Sequence, residues 1–156
     1  MTYVTGAADG PPGCIFCDTS APGCADLVLV RGRHVYAILN LYPYNNGHLM
    51  IVPFRHVAAL AAMTGDERAE LMEFTRLAEM ALTKAYSPQG INVGINLGRS
   101  AGAGVADHLH VHLVPRWTGD TNFMSVIGET RVLPEDLGAT RKRLQPIFES
   151  LLNSEK

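Results

Sequence analysis

The chain has no marked excess of either charge and no long apolar run. Its 156 residues include 13 Lys and Arg against 15 Asp and Glu, for a formal net charge of −2. Without a basic patch it lacks the electrostatic footprint of a nucleic-acid-binding protein, so we expect no nucleic-acid partner. No stretch approaches the ~18 consecutive apolar residues of a membrane span, and the start of the chain lacks the pattern of a secretory signal. We therefore expect a cytoplasmic protein with no membrane partner.

Cysteine is also scarce, and its three copies, Cys14, Cys17 and Cys24, are too few and odd in number for a disulfide framework. Cys14 and Cys17 form a C-x-x-C motif, which serves redox chemistry or metal binding unless the thiols are simply free. A redox motif of the thioredoxin type belongs at a strand-to-helix turn, whereas residues 18–26 read as loop. The sequence therefore favours a metal site over a redox site.

Length and composition indicate one globular domain. A chain of 156 residues with 47% hydrophobic residues can bury a substantial core. Residues 1–13 are rich in Gly, Pro and Ala and are expected to be a flexible segment, which leaves residues 14–156 as a single domain. No sequence feature indicates an organic cofactor.

The local patterns predict an α+β fold with a mostly antiparallel sheet. Alternating apolar stretches predict strands at 26–31 and 35–39, joined as a hairpin, and at 48–52, 91–97 and 123–127. A capping box at Thr64 and Glu67 opens one long helix that runs to about Tyr86. A C-terminal helix is expected from about Pro134, and Pro146 should kink or restart it.

The most informative stretch is a run of three alternating histidines between Asp107 and Pro115. In a strand, His108, His110 and His112 share one face, while the apolar residues between them point into a core. Three imidazoles on one face are unusual for a purely structural strand because burial disfavours the charged ring. The pattern favours either a metal site or a nucleophile with its helpers.

The loop that precedes the histidines suggests a phosphate ligand. Residues 96–104 read Asn-Leu-Gly-Arg-Ser-Ala-Gly-Ala-Gly, and its glycines allow backbone N–H groups to approach an anion. Arg99 lies within this loop and Arg116 shortly after the histidine run, where both can add positive charge. Phosphate beside histidine is typical of covalent nucleotidyl transfer, in which a neutral imidazole attacks phosphorus. His110 is then the natural nucleophile, and His112 the partner of the leaving group.

These motifs resemble those of the histidine triad (HIT) superfamily of nucleotide hydrolases and transferases. The run His108-Leu-His110-Val-His112-Leu-Val matches the signature of that family. Further features agree in position: Cys14-Ile-Phe-Cys17, Asn40, Gly47-His48, Ile51-Val-Pro53, His56, Asn96 and Pro115-Arg-Trp117. The resemblance implies a HIT-like α+β fold whose sheet continues across a homodimer, itself able to form a dimer of dimers.

The resemblance also implies a role for each candidate site residue. His110 would be the nucleophile, His112 would assist at the scissile phosphate, and His48 would support the site from behind. Asn40 would bind the ribose. The phosphates would be bound by Asn96 and by the 98–104 loop, which includes Arg99, Ser100 and Gly104. Cys14, Cys17, His56 and His108 correspond to the ligands of a structural zinc ion, a donor set that suits tetrahedral zinc. The expected partners are adenine nucleotides or dinucleoside polyphosphates, with which Mg²⁺ can enter.

Two segments resemble the branch that includes the diadenosine tetraphosphate phosphorylases, which use inorganic phosphate as acceptor. They are residues 40–48 and 115–124. Such phosphorylases tend to have Gly-Ser where this chain has Ala103-Gly104, so either phosphate or water is a possible acceptor, and Ser100 is a candidate substitute for the missing hydroxyl. The alternatives are a purine nucleoside phosphoramidase, a non-catalytic nucleotide-binding protein and, less favoured, a metal-dependent hydrolase. Trp117 bears on the phosphoramidase alternative, which needs no second nucleoside site. Its ring could either stack on a second base or pack beneath Pro115.

Overall fold

The computed structural model describes residues 13–20, 26–120 and 135–154. The strands are β1 (Val28–Arg31), β2 (Val35–Leu39), β3 (Leu49–Pro53), β4 (Gly90–Ile95) and β5 (Val111–Arg116). The helices are α1 (Ile15–Ser20), α2 (Gly65–Tyr86) and α3 (Leu137–Ser154), and Leu60–Ala62 and Arg99–Ala101 form 3-10 turns. None of the helices in the described ranges is long and apolar enough to cross a membrane.

The five strands form one sheet in the order β1-β2-β3-β5-β4, and every neighbouring pair is antiparallel. Alternation along the strands gives the sheet two faces. On one face, Ala37, Leu39 and Ile51 belong to the main apolar cluster, and on the other Tyr36, Ile38 and Met50 belong to a smaller one. The α+β expectation with a mostly antiparallel sheet is confirmed.

Helix α2 covers the first face and begins where the capping box predicted. The Thr64 side chain accepts a hydrogen bond from the Glu67 backbone N–H, and the Glu67 carboxylate accepts one from Thr64 N–H. Its buried side includes Leu71, Phe74 and Leu77, as the periodicity predicts. Leu82 is buried too, but Met72 is 68% and Met80 40% exposed, so within the chain the helix is not buried on a second side.

The short helix α1 covers part of the second face. Its Phe16 backbone carbonyl accepts a hydrogen bond of 2.7 Å from the buried Tyr36 hydroxyl, which fastens the helix to the sheet. The sequence reading of residues 18–26 as loop is therefore wrong for residues 18–20. Residues 15–20 form only one or two turns, too short for a periodic apolar pattern to reveal them.

The histidine segment differs from the expected strand in one respect. Strand β5 begins at Val111, so His108, which lies in a bend, and His110 both precede the paired region. Leu109 still points into the main cluster, and its N–H donates to the Val57 carbonyl at 2.7 Å. The apolar residues Leu109, Val111 and Leu113 point into the core as expected, but the strand includes only His112 of the three histidines.

Helix α3 runs from Leu137 to Ser154 without interruption. Of the kink or restart expected at Pro146, the restart is wrong, because one helix continues through the proline. Asp136 caps its start by accepting from the backbone N–H groups of Gly138 and Ala139. Residues 1–12 of the expected 1–13 segment, the Pro134 start and the 123–127 strand lie outside the described residues.

The turn between β1 and β2 is held by a side chain of α2. Both carboxylate oxygens of Glu70 accept backbone N–H groups, from Arg33 at 2.9 Å, from Val35 at 3.0 Å, and from His34. Gly32 in this turn leaves no room for a side chain, because an added Cβ would lie 2.7 Å from the Phe74 ring. The hairpin therefore depends on α2 for its backbone hydrogen bonding.

We predict that Glu70→Ala lowers the free energy of unfolding by about 1–3 kcal/mol, because three backbone donors lose their acceptor. Denaturant titration measures the loss. The control Glu73→Ala removes an exposed ion pair with Arg76 on the same helix and should change stability by no more than about 0.5 kcal/mol. Equal losses in the two variants would contradict this account of the hairpin.

Candidate active site and metal centre

The register between β3 and β5 brings His48 and His112 together. Met50 pairs with His112 across the two strands, and His48 lies two residues before Met50 on the same face. The Nε2 atom of His48 lies 3.0 Å from Nδ1 of His112. The ring centroid of His112 lies 4.8 Å from that of His110. Three of the predicted site histidines therefore form one continuous cluster.

The tautomer of His48 follows from its hydrogen-bond partners. The backbone N–H of Tyr44 donates to Nδ1 of His48 at 3.1 Å, so that nitrogen is an acceptor. In a neutral imidazole the other nitrogen then carries the proton, and Nε2 of His48 donates to Nδ1 of His112. By the same reasoning His112 carries its own proton on Nε2, where it can be donated to a ligand.

His110 has the opposite tautomer. Its Nδ1 lies 2.8 Å from the carbonyl oxygen of His108, which accepts hydrogen bonds only, so Nδ1 is the donor. Its Nε2 therefore holds a free lone pair, as an attacking imidazole requires. His110 and His112 thus present an acceptor and a donor side by side.

Burial keeps these rings neutral. Burial, together with the neighbouring His112 and His110, lowers the pKa of His48 to about 3. Burial and the nearby His110 lower the pKa of His112 to about 4, and burial also lowers the pKa of His110. All three imidazoles are uncharged at neutral pH, so the tautomers described above are the forms present.

The cluster opens into a cavity of about 370 Å³. Its polar wall includes Asn40, Gly104, His110 and His112, and its apolar wall comes from α1, β2, β3 and the 41–44 turn: Ile15, Phe16, Ile38, Leu39, Leu41, Tyr42, Tyr44 and Met50 among others. Such a pocket, apolar with a few convergent polar groups, suits a nucleobase with its sugar and phosphate at the polar end.

His108 faces away from this cavity and belongs to a second cluster. Its Nδ1 lies 3.3 Å from Cys14 Sγ and 3.6 Å from Cys17 Sγ, and Cys17 Sγ lies 3.4 Å from Nδ1 of His56. The four ligand atoms of Cys14, Cys17, His56 and His108 all lie within 4.8 Å of one another. The sequence prediction that these four residues meet is confirmed.

The donor set of this quartet suits zinc. His108 directs its Nε2 at the Pro53 carbonyl at 2.8 Å, so Nε2 carries the proton and Nδ1 is free for a metal ion. Two thiolates and two imidazoles are a common tetrahedral zinc set. Burial, aided by Cys14, raises the pKa of the Cys17 thiol to about 12, and a bound cation would offset that cost by stabilising the thiolate.

The remaining predicted residues are more dispersed. Arg99 and Gly104 line a neighbouring cavity of about 540 Å³ that reaches Cys14 and His56, whereas Ser100 lines neither cavity. Asn96 is half-buried at the end of β4 and is absent from both linings. Trp117 packs edge-on against Tyr86, with ring centroids 6.5 Å apart, and is also absent from both linings.

The sequence reasoning missed Phe16 and Tyr44. The Phe16 ring lies 4.9 Å from His110, and the Tyr44 ring lies 4.8 Å from His48. Phe16 lies inside the C-x-x-C motif, and nothing in the sequence around it indicates that it lies on a helix beside His110. For Tyr44 a signal existed, because two tyrosines flank Pro43 in a turn where aromatic residues are not needed for the backbone.

Comparison with known proteins supports the family resemblance inferred from the motifs. Residues 24–119 match the HIT domain model. A stretch of 129 residues, 81% of this chain, is 53% identical to AP-4-A phosphorylase from Mycobacterium tuberculosis and covers 66% of that protein. The chain belongs to the HIT family. This HIT chain spans about two thirds of the length of that relative.

Solved structures agree in fold. A Zn-bound histidine triad family protein from Mycobacterium smegmatis has a TM-score of 0.70 at 24% identity, covering 92% of this chain and 98% of the other. A hypothetical histidine triad nucleotide-binding protein from Sulfolobus tokodaii has a TM-score of 0.68 at 29% identity, covering 91% and 94%. The expected HIT-like fold is confirmed.

We predict that acidification destabilises this HIT protein partly through His48. Its pKa is about 3 when folded and about 6.5 when unfolded, so its stabilising contribution is complete above pH ~6.5 and declines as the pH falls toward 3. At pH 5 the loss is about 2 kcal/mol. Denaturant titrations at pH 7 and pH 5 measure how far the free energy of unfolding falls between the two. That fall should be about 2 kcal/mol smaller in His48→Asn than in the wild type. Parallel declines would contradict the buried neutral His48.

Proposed function

We propose that this HIT protein cleaves dinucleoside polyphosphates, diadenosine tetraphosphate above all, through a covalent nucleotidyl-His110 intermediate. The observation that carries the proposal is the pairing of tautomers in one cavity. Nε2 of His110 is a free acceptor because Nδ1 donates to the His108 carbonyl, and His112 beside it is a donor. The 53% identity to AP-4-A phosphorylase over most of the chain supports the choice of substrate.

The reaction follows from these two histidines. Nε2 of His110 attacks the α-phosphorus, an N–P bond forms, and the P–O bond to the leaving ATP breaks, with its oxygen stabilised by the N–H of His112. The acceptor phosphate then attacks the same phosphorus, the N–P bond breaks, and ADP leaves. Because His110 and His112 are uncharged, substrate binding must draw on backbone N–H groups and side chains such as Asn40.

The substrate site we propose has its adenosine in the apolar cavity. Asn40 lines that cavity and would contact the ribose, although its Oδ1 already accepts the Tyr42 N–H at 3.0 Å. Gly104 lines both cavities, and Arg99 lines the neighbouring cavity of about 540 Å³. The phosphates, with bound Mg²⁺, would therefore lie along this loop toward Ser100. Asn96 would support the phosphates from the end of β4, and Trp117, packed on Tyr86, would stack on a second base only by leaving that contact.

We predict that the protein converts diadenosine tetraphosphate to ATP and ADP only when inorganic phosphate is present. Product separation by chromatography measures this, and His110→Ala should reduce the rate by about 10³-fold or more. ATP and AMP formed without phosphate would identify water as the acceptor. The loss of the serine hydroxyl at Gly104 would then account for the change of acceptor. Turnover of phosphoramidates alone, or tight nucleotide binding without turnover, would replace the proposal by the phosphoramidase or the binding protein.

We also propose that Cys14, Cys17, His56 and His108 hold a structural zinc ion. Their ligand atoms lie within 4.8 Å of one another, and the Mycobacterium smegmatis relative is described as Zn-bound. The ion would join α1 to the histidine segment and supply no step of the reaction, since His108 faces away from the cavity. A metal-dependent hydrolase using all three triad histidines is disfavoured by the same geometry.

For the zinc proposal, we predict that His56→Asn weakens zinc binding by more than about tenfold and lowers Tm, because a three-ligand site is incomplete. Elemental analysis and thermal unfolding with and without a chelator measure both effects. The matched histidine variant His34→Asn lies outside the quartet and should retain zinc. Equal zinc content in the two variants would refute the assignment.

Homodimerisation is proposed through the free edge of the sheet. Strand β4 lies at one end of the strand order and pairs with β5 alone among the described strands. Val93 on this strand is 51% exposed and Leu97 just beyond it 47%, an apolar surface that a second copy can cover while its own β4 extends the sheet. A dimer of dimers would need a further surface. Sedimentation equilibrium measures the assembly.

A further inference from the structure

The backbone ladder between β3 and β5 ends one residue short of His48. The last pair is Leu49 with Leu113, whereas β5 continues to Arg116 against β4 only. His48 precedes Leu49 and so lies beyond the last pair. Some other contact must hold the chain before His48 against the end of β5.

The side chain of Asn45 makes that contact. Its amide nitrogen Nδ2 donates to the Pro115 carbonyl at 2.9 Å and to the Asp120 carboxylate at 2.8 Å. The amide thereby joins the chain before β3 to the end of β5, beyond the last backbone pair of the two strands. Both of its N–H hydrogens are used, so its orientation is fixed by two acceptors on the β5 side.

Asp120 is itself held in place. Its carboxylate accepts two hydrogen bonds from the Arg116 guanidinium, at 2.7 and 2.8 Å, and one from the Trp117 backbone N–H at 3.1 Å. The Asp120 side chain is only 12% exposed, so the ion pair is partly shielded from water. A bidentate Arg–carboxylate pair of this kind is a rigid acceptor for the Asn45 amide.

The backbone around Asn45 holds His48. The Asn45 carbonyl accepts the His48 N–H at 3.1 Å, and the preceding residue, Tyr44, donates its N–H to Nδ1 of His48 at 3.1 Å. His48 then donates from Nε2 to His112. Hydrogen bonds and the short backbone segment of residues 44–45 therefore connect Asp120 to His48 and, through it, to His112.

We propose that Asn45 is a positioning residue of the HIT reaction, whose amide, held by Asp120 and Pro115, keeps Tyr44 N–H on His48 and thereby keeps His112 in the tautomer that donates from Nε2. The inference rests on the proposed function for the role of His112. Asn45 is absent from the lining of the nucleotide cavity, so its loss should act on the chemical step and not on substrate binding.

The direct test is the tautomer itself. In folded protein with ¹⁵N-labelled imidazoles, the nitrogen chemical shifts of His48 and His112 should report Nε2-protonated rings in the wild type. In Asn45→Ala, both rings should move toward a mixture of tautomers because Tyr44 N–H is no longer held. The control Asn92→Ala removes a different partner of Arg116, which donates to the Asn92 side chain at 2.8 Å, and should leave the tautomers unchanged.

The kinetic test uses the same variants. Asn45→Ala should lower kcat for diadenosine tetraphosphate about 10–100-fold with KM nearly unchanged, because a misplaced donor affects the transition state more than binding. Asn92→Ala should keep the wild-type kcat. If Asn45→Ala does not fold, Asp120→Asn, which keeps an oxygen acceptor but removes the charge, should shift tautomers and kcat in the same direction by less.

Unchanged tautomers in Asn45→Ala would overturn the proposal, as would equal losses of kcat in Asn45→Ala and Asn92→Ala or a change in KM alone. Failure of the proposed function has a different signature. The wild type would then not turn over the dinucleotide, while the tautomer shifts in Asn45→Ala would still establish or refute the hydrogen-bond path.

Discussion

Both clusters of this protein depend on the pairing of β3 with β5. The register Met50 with His112 places the histidine strand β5 inside the sheet, with three strands on one side and one on the other. Because strand side chains alternate, Leu113 enters the main core while His112 faces the cavity. A shift of this register by one residue would move His112 into the core and remove it from His48 and His110.

Helix α1 couples the Cys14, Cys17, His56 and His108 quartet to the cavity lined by His110 and His112. Cys17 lies on this helix and Cys14 directly before it, and the Phe16 ring between them lies 4.9 Å from His110. An ion held by the four residues would therefore fix the wall against which the His110 ring lies. The divergent directions of His108 and His110, one toward sulfur and one toward the cavity, let adjacent histidines serve separate tasks.

The proposed reaction needs no charged histidine. Burial lowers the pKa values of His48, His110 and His112, so each ring offers one donor and one acceptor, and the hydrogen-bond partners decide which nitrogen is which. The decisive partners are backbone groups, the His108 carbonyl and the Tyr44 N–H. Backbone partners do not titrate, so the assignment of the acceptor nitrogen in His110 and the donor nitrogen in His48 is stable against changes of pH near neutrality.

The sequence by itself determined the long helix, the hairpin, the family and the residues of both clusters, because these features rest on local patterns: the capping box at Thr64, apolar periodicity and histidine alternation. The tertiary structure decided what those residues do for one another. Helix α1, the late start of β5 at Val111 and the continuity of α3 through Pro146 depend on packing between distant segments. The tautomers of His48 and His110 depend on single carbonyl and N–H groups, and a sequence names side chains without showing which backbone group faces them.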